Sequence, residues 1–230
     1  MTKAFLREKL FAKFSQEWGL NNNLRPPDFP QTSQAAERLR RHPAYRQAQA
    51  IVVMPEPAML QVRINALLDG KNLIAATPGL KQGLVRLNTN NLPLPRRQAL
   101  LTGSALAKSG KPIRWPGSKL NRVDLVVGTA LASDSRGFLL GDGRGLLDLL
   151  MAMLNQMQAL TSHTQLVVLQ HENQFLDINI PENEWDVPAN LVVSPNEIKN
   201  FTHQKRTFIN ASILADNLAK IPLIKAVMNN

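Results

Sequence analysis

The stretch from Asp124 to Asp148, DLVVGTALASDSRGFLLGDGRGLLD, leaves the chain few ways to fold. Asp124 to Gly128 is short, apolar and rich in β-branched residues, which suits a strand buried on both faces. Ser133 to Gly137 is a polar turn, after which Gly141, Gly143 and Gly145 alternate with Asp142 and Arg144. Leu146 to Leu160 contains neither Gly nor Pro and favours helix. Strand, glycine loop and helix in succession is a layout that holds a phosphate. Glycines let backbone N–H groups approach closely, and the helix N-terminus adds partial positive charge. The spacing G-x-G-x-G is neither the P-loop, which needs Gly-Lys-Ser/Thr, nor the dinucleotide pattern G-x-G-x-x-G. A tight turn that merely reverses the chain is the other reading, and this stretch alone leaves both open.

The surrounding chain narrows the choice. With 230 residues, one domain is the natural expectation, and its core is large enough to need no staples. Cysteine is absent, which rules out disulfides and thiolate metal sites and fits a reducing compartment; a cytoplasmic location is expected. No run of 18 apolar residues exists and the N-terminus has no apolar signal core, so neither a membrane partner nor secretion is expected. The balance of 27 basic against 17 acidic residues gives a net charge of +10, which attracts polyanions. The charge is spread over Lys3–Lys13, Arg38–Arg46, Arg96–Arg122 and Lys199–Arg206, without an aromatic-rich basic motif of the RNA-recognition type. It therefore favours a phosphate-bearing ligand first and nucleic acid second.

Taken in order, Thr2 to Trp18 reads as an amphipathic helix capped by Thr2, with Leu6, Leu10, Phe14 and Trp18 on one stripe. Asn21 to Pro30 is a loop. Thr32 or Ser33 caps a helix through Arg41 that Pro43 closes. Gln49–Met54, Lys71–Thr77, Asp124–Gly128, Gln165–Gln170 and Leu191–Ser194 read as strands, with Leu84–Leu87 as a further candidate. Helix is expected over 56–68, between the first two strands, and over 96–108. Asn88–Pro95 and Ser109–Arg122 read as loops, and 212–228 as a closing helical tail. Strand, helix, strand at this spacing means a right-handed crossover in a parallel sheet. The expected fold is a three-layer α/β sandwich with an open, mostly parallel sheet. Ligands then sit at the carboxyl ends of the strands, beside the glycine loop.

Four stretches in register resemble the 5-formyltetrahydrofolate cyclo-ligase family, and within it a divergent branch. They are Lys3-Ala-Phe-Leu-Arg7; Ala50 to Lys71, with Val62-Arg63 and Ala66-Leu67 typical of that branch; Asp124 to Asp148; and His171 to Asp186, with Gln174, Ile180-Pro181 and Asp186. The resemblance implies a CoA-transferase-like α/β fold; residues 1–200 are expected to form that domain, and 201–230, which match no counterpart in the family, a C-terminal extension packed on it. It implies ATP and Mg²⁺ as cofactors and a reduced folate or pterin as substrate; the chain is expected as a monomer or homodimer. Its reaction transfers the γ-phosphoryl of ATP to the formyl oxygen, after which N10 closes the ring and phosphate leaves. Such chemistry rests on positioning and positive charge. Carried over residue by residue, Lys3, Arg7, Gly141, Gly143 and Gly145 bind the nucleotide, Arg144 is the catalytic cation and Asp148 holds the metal.

Departures from the family pattern are equally specific. Leu139 stands at an Arg, Asp142 at a basic or aromatic position, Leu146-Leu147 at an aromatic pair and Asn190 at an Asp. The Glu that holds the pterin is expected where Ala58 or Met59 falls. Arg136 and Arg122 are the candidates to make good the lost cation. A catalytically inactive member that binds a nucleotide, pterin or nucleic acid is the alternative. Taken without the resemblance, Lys3 and Arg7 are ordinary exposed charges, Asp148 serves the helix dipole, and Asp134 is a turn residue. His171 is structural, and the other histidines have no partner at metal spacing. Met151, Met153 and Met157 fill the core. Neither Ser104 nor Ser133 has a nucleophile-elbow context.

Overall fold

Short apolar runs separated by helical segments pair side by side and need cover on both faces. The computed structural model describes residues 1–18, 29–87, 101, 105, 106, 108, 110–115, 119–183 and 185–202. In chain order the elements are α1 (Lys3–Trp18), α2 (Thr32–Arg41), α3 (Pro43–Gln47), β1 (Ala50–Val53), α4 (Leu60–Leu68), β2 (Asn72–Ala76), β3 (Leu84–Arg86) and β4 (Lys111–Ile113). They continue with β5 (Leu125–Thr129), β6 (Ala132–Asp134), β7 (Leu139–Leu140), α5 (Leu146–Gln156), β8 (Gln165–Leu169), β9 (Phe175–Leu176), β10 (Leu191–Val193) and β11 (Ile198–Asn200).

Among the described residues one sheet runs β11-β10-β8-β5-β1-β2-β3-β4. Five consecutive strands, β10-β8-β5-β1-β2, are parallel, with Ile51 beside both Leu73 and Leu125, Leu125 beside Gln165, and Val167 beside Leu191. The crossovers β1-α4-β2 and β5-α5-β8 run in opposite directions along the sheet. Right-handed connections therefore put α4 and α5 on opposite faces, giving three layers. Ile51–Val53, Leu73–Ala76, Leu125–Val127 and Leu166–Leu169 form one buried cluster with the inner faces of α2, α4 and α5. No helix among the described residues is long and apolar enough to cross a membrane.

The edges differ from the sequence reading. β3 pairs antiparallel to β2 and β4 antiparallel to β3, and β4 lies in the stretch read as irregular. β11 adds an antiparallel edge to β10 where the sequence reading placed no strand. The segment before α4 begins as a 3-10 turn over Pro57–Met59 rather than as helix from Glu56. Pro43 both ends α2 and opens α3, with His42 Nδ1 accepting the N–H of Ala44. The first residue of α2 follows Gln31, which has a left-handed backbone and makes no side-chain cap. The loops over 21–28 and 88–95, most of the helix over 96–108, the tail over 212–228 and nearly all of the extension over 201–230 lie outside the described residues.

A smaller sheet, β7-β6-β9, stands beside the carboxyl edge of the main one. The polar turn after β5 is thus a hairpin: Asp134, fully buried, accepts the N–H groups of Arg136, Phe138 and Ile180. Helix α1 packs on this sheet, where Leu6, Leu10 and Phe14 form a separate cluster with Leu131, Ala132, Leu140 and Ile180. Its start is capped as expected, the Thr2 hydroxyl accepting the N–H of Phe5.

Candidate active site

The glycine loop runs from the end of β7 into α5. Gly145 caps the helix with φ 64° and Gly143 has φ 95°, both in the left-handed region that favours glycine. Gly141 and Gly143 are exposed, and a Cβ at Gly141 would meet nothing within 4 Å. Leu146 and Leu147 turn into the core cluster instead of plugging the loop. Leu139 is likewise packed against that core, so no side chain stands in for the missing arginine at its own position.

Cations reach the loop from elsewhere. The apolar stripe of α1 fixes that helix against β6 and β7, which carries Arg7 over the glycines. Arg7 Nε donates to the carbonyl of Gly141 at 2.9 Å, and the guanidinium lies 3.5 to 3.7 Å from a Cβ built at Gly143. Arg144 folds back on its neighbour: its backbone N–H donates to Asp142 Oδ1 at 2.9 Å and its guanidinium pairs with Oδ2. The negative charge of Asp142 is therefore matched locally, and Arg144 spends its own charge on it. The two candidate replacements are committed elsewhere. Arg136 bonds Asp134 and the Ile180 carbonyl. Arg122 pairs with Asp124 at the amino end of β5, the opposite edge of the sheet.

One turn before Arg7, Lys3 pairs with Asp186. Asp148, in the first turn of α5, is pushed up to about 6. Desolvation is the larger cause and the nearby Asp186 carboxylate adds to it, while Lys3 and the N–H of Val187 oppose it. Lys3, Asp186 and Asp148 thus form a small charged cluster at the end of the loop. Among the described residues no group of three His, Cys, Asp or Glu side chains is placed to hold a metal by itself.

Glu56 is the residue that sequence reasoning missed. It follows β1, two positions before the place where the pterin-holding Glu was sought. Its Oε2 is shielded from solvent and has no hydrogen-bond partner among the described residues. Burial raises its pKa, Asp142 adds to that, and Arg144 and Arg63 oppose it. Its signal was available: an acidic residue held between two prolines, Pro55 and Pro57, at the exit of a buried strand. Thr129 Oγ1 and Gln170 Oε1, at the exits of β5 and β8, also lack partners among the described residues, where three adjacent strands thus end in unsatisfied acceptors.

Other singled-out residues are structural. His171 caps the 3-10 turn Glu172–Gln174 and lies 5.4 Å from the Trp18 ring. Gln174 is fully buried and donates to the carbonyls of Ala130 and Leu131, which fixes the exit of β5 ahead of the loop. Asn190 accepts the Leu166 N–H and ties β10 to β8. Met151, Met153 and Met157 are core. A polar cleft lined by Arg40, Arg46, Asp69 and Lys71 opens at the amino edge, away from the loop.

Comparison with known proteins places the fold. Residues 2–195 match the model of the 5-formyltetrahydrofolate cyclo-ligase family. A methenyltetrahydrofolate synthase domain-containing protein of Bos taurus is 30% identical over 179 residues, 76% of this chain and 46% of the relative. That of Mus musculus is 29% identical over 87% of this chain and 55% of the relative. The chain spans about half the length of these relatives. In fold it is similar to 5,10-methenyltetrahydrofolate synthetase of Aquifex aeolicus, at TM-score 0.54 and 18% identity, covering 90% of this chain and 96% of that one. The synthetase of Mycoplasma pneumoniae gives 0.52 and 12%, covering 85% and 100%. A family match over nearly the whole sheet, loop and docked first helix identifies the lineage: the chain belongs to the 5-formyltetrahydrofolate cyclo-ligase family.

Proposed function

We propose that the chain is an ATP- and magnesium-dependent cyclo-ligase that converts 5-formyltetrahydrofolate, or a related reduced pterin, to the 5,10-methenyl form. The observation that carries this is α1 lying on the glycine loop, with Arg7 bonded at Gly141 and Lys3 in the Asp148–Asp186 cluster. The exposed glycines and the start of α5 receive the triphosphate, Arg7 and Lys3 cover it, and Arg144 turns from Asp142 toward it. Two neighbouring carboxylates suit Mg²⁺, which takes one or two carboxylates plus substrate phosphates and keeps part of its water. Asp148 and Asp186 would hold it, and the ion when bound screens the phosphate charge. Glu56, with an acceptor left open, takes the N–H donors of the pterin ring.

The γ-phosphoryl passes to the formyl oxygen, N10 attacks the activated carbon, and that oxygen leaves with inorganic phosphate. The protein's part is to hold the two substrates in line and exclude water. The test is product formation, read as near-ultraviolet methenyl absorbance with MgATP and 5-formyltetrahydrofolate. Arg7→Ala is expected to lower kcat/KM about 100-fold. No absorbance, and no thermal shift with both substrates, would overturn the reading.

A further inference from the structure

Arg63 is 1% exposed, and few arginines are buried so completely. It projects from α4 beneath the exit of β1. Its Nη1 donates to the carbonyls of Met54 at 2.6 Å and Glu56 at 3.2 Å, and its Nε to that of Leu101 at 3.1 Å. Among the described residues every acceptor is a neutral backbone oxygen. No carboxylate lies within 4 Å of it among the described residues, so a full charge is kept under the fold without a direct counter-ion. Burial lowers its pKa to about 10, and the one acidic side chain that opposes this is Glu56. A methionine would fill similar space at no desolvation cost. The position therefore asks for what only a guanidinium offers, which is several donors and a charge.

We propose that Arg63 is a positioning residue of the site: it locks the Met54–Glu56 strap from below and holds the Glu56 carboxylate, as the anion, toward the glycine loop for the N–H donors of the substrate ring. This rests on the role given to Glu56 above. The charged groups facing Glu56 are Arg63 from α4 and Asp142 and Arg144 from the loop. The last two largely cancel each other, since they are paired. Arg63 is then the cation left without a partner carboxylate beside Glu56, and it favours the anion against the burial that raises its pKa. Without it the strap loses donors to two carbonyls, and the carboxyl binds a proton at higher pH.

The experiment uses the full chain and the variants Arg63→Met, Arg63→Lys and Glu56→Gln. In steady-state kinetics Arg63→Met is expected to raise KM for 5-formyltetrahydrofolate about tenfold, leave KM for MgATP unchanged, and move the acid limb of kcat/KM up by about one pH unit. Arg63→Lys should restore the limb but only part of KM, and with Mg²⁺ and ATP kept saturating at every pH Glu56→Gln should abolish the limb. A merely structural arginine would lower thermal stability and move both KM values, or neither, with the limb in place; that result overturns the proposal. If Arg63→Met does not fold, the split between the two KM values in Arg63→Lys decides. If the wild-type chain binds no reduced folate, the functional reading fails separately. The carboxyl carbon resonance of Glu56, titrated in wild type and Arg63→Met, then decides alone, and an unmoved midpoint sinks the role given to Arg63.

Discussion

Asp142 and Arg144 sit on either side of a glycine, and each neutralises the other. The pair explains how an acidic residue is tolerated in a loop suited to anions, and it also withholds a cation. Asp142→Asn keeps an oxygen for the Arg144 N–H and frees the guanidinium. It is expected to tighten MgATP about three- to tenfold in a calorimetric titration; unchanged affinity would mean that Arg144 does not reach the nucleotide. Gly137 poses a harder constraint. It has φ 82°, and a Cβ there would stand 2.9 Å from both the Ala189 carbonyl and the Phe201 ring. Gly137→Ala should cost about 1–3 kcal/mol in denaturant unfolding, because backbone strain and the clash add.

At the scale of elements, α1 joins fold and site. Its stripe, Leu6, Leu10 and Phe14, was readable from the spacing, and so was its capping by Thr2. What spacing did not carry was the destination of Arg7 and Lys3, because a charged face reads the same in solvent as over a loop. The parallel strands were legible as β-branched runs, and β1-α4-β2 as a crossover. β4, β7 and β11 were not, since two or three residues are too few to display a period of two. Glu56 was overlooked for a related reason: helix was expected from that residue onward, whereas a 3-10 turn intervenes and shifts the register. The burial of Asp148 at the start of α5 also sets a pH dependence. The Asp148 pKa is raised to about 6 in the folded chain, above its ordinary value near 3.8, so folding favours its protonated form. Stability from this group is greatest below about pH 4 and declines as pH rises through 6. Asp148→Asn should flatten that slope and, because the side chain is partly exposed, stabilise by about 1–2 kcal/mol at pH 7. The same variant should weaken Mg²⁺ binding. In the wild type that binding should fade as pH drops through about 6, readable by titrating the ion at fixed ATP.

For the whole molecule, the sheet separates two edges with different duties. The carboxyl edge gathers Glu56, the glycine loop and the docked α1, whereas the amino edge carries Arg122, Lys71 and the polar cleft with Arg40 and Arg46. Removing a positive charge should therefore matter by location and not by count. Arg122→Ala is expected to leave kcat/KM within about twofold of wild type, in contrast to Arg7→Ala. The hydrophobic interior is divided as well, because the apolar side chains under α1 form a cluster of their own beside the main one. A small satellite of this kind opens at lower free energy than the central layers. Deuterium uptake should accordingly label the amides of α1 well before those of α5. MgATP, by bridging the two, should slow that labelling, so that arrival of the nucleotide and closure of the first helix become a single event.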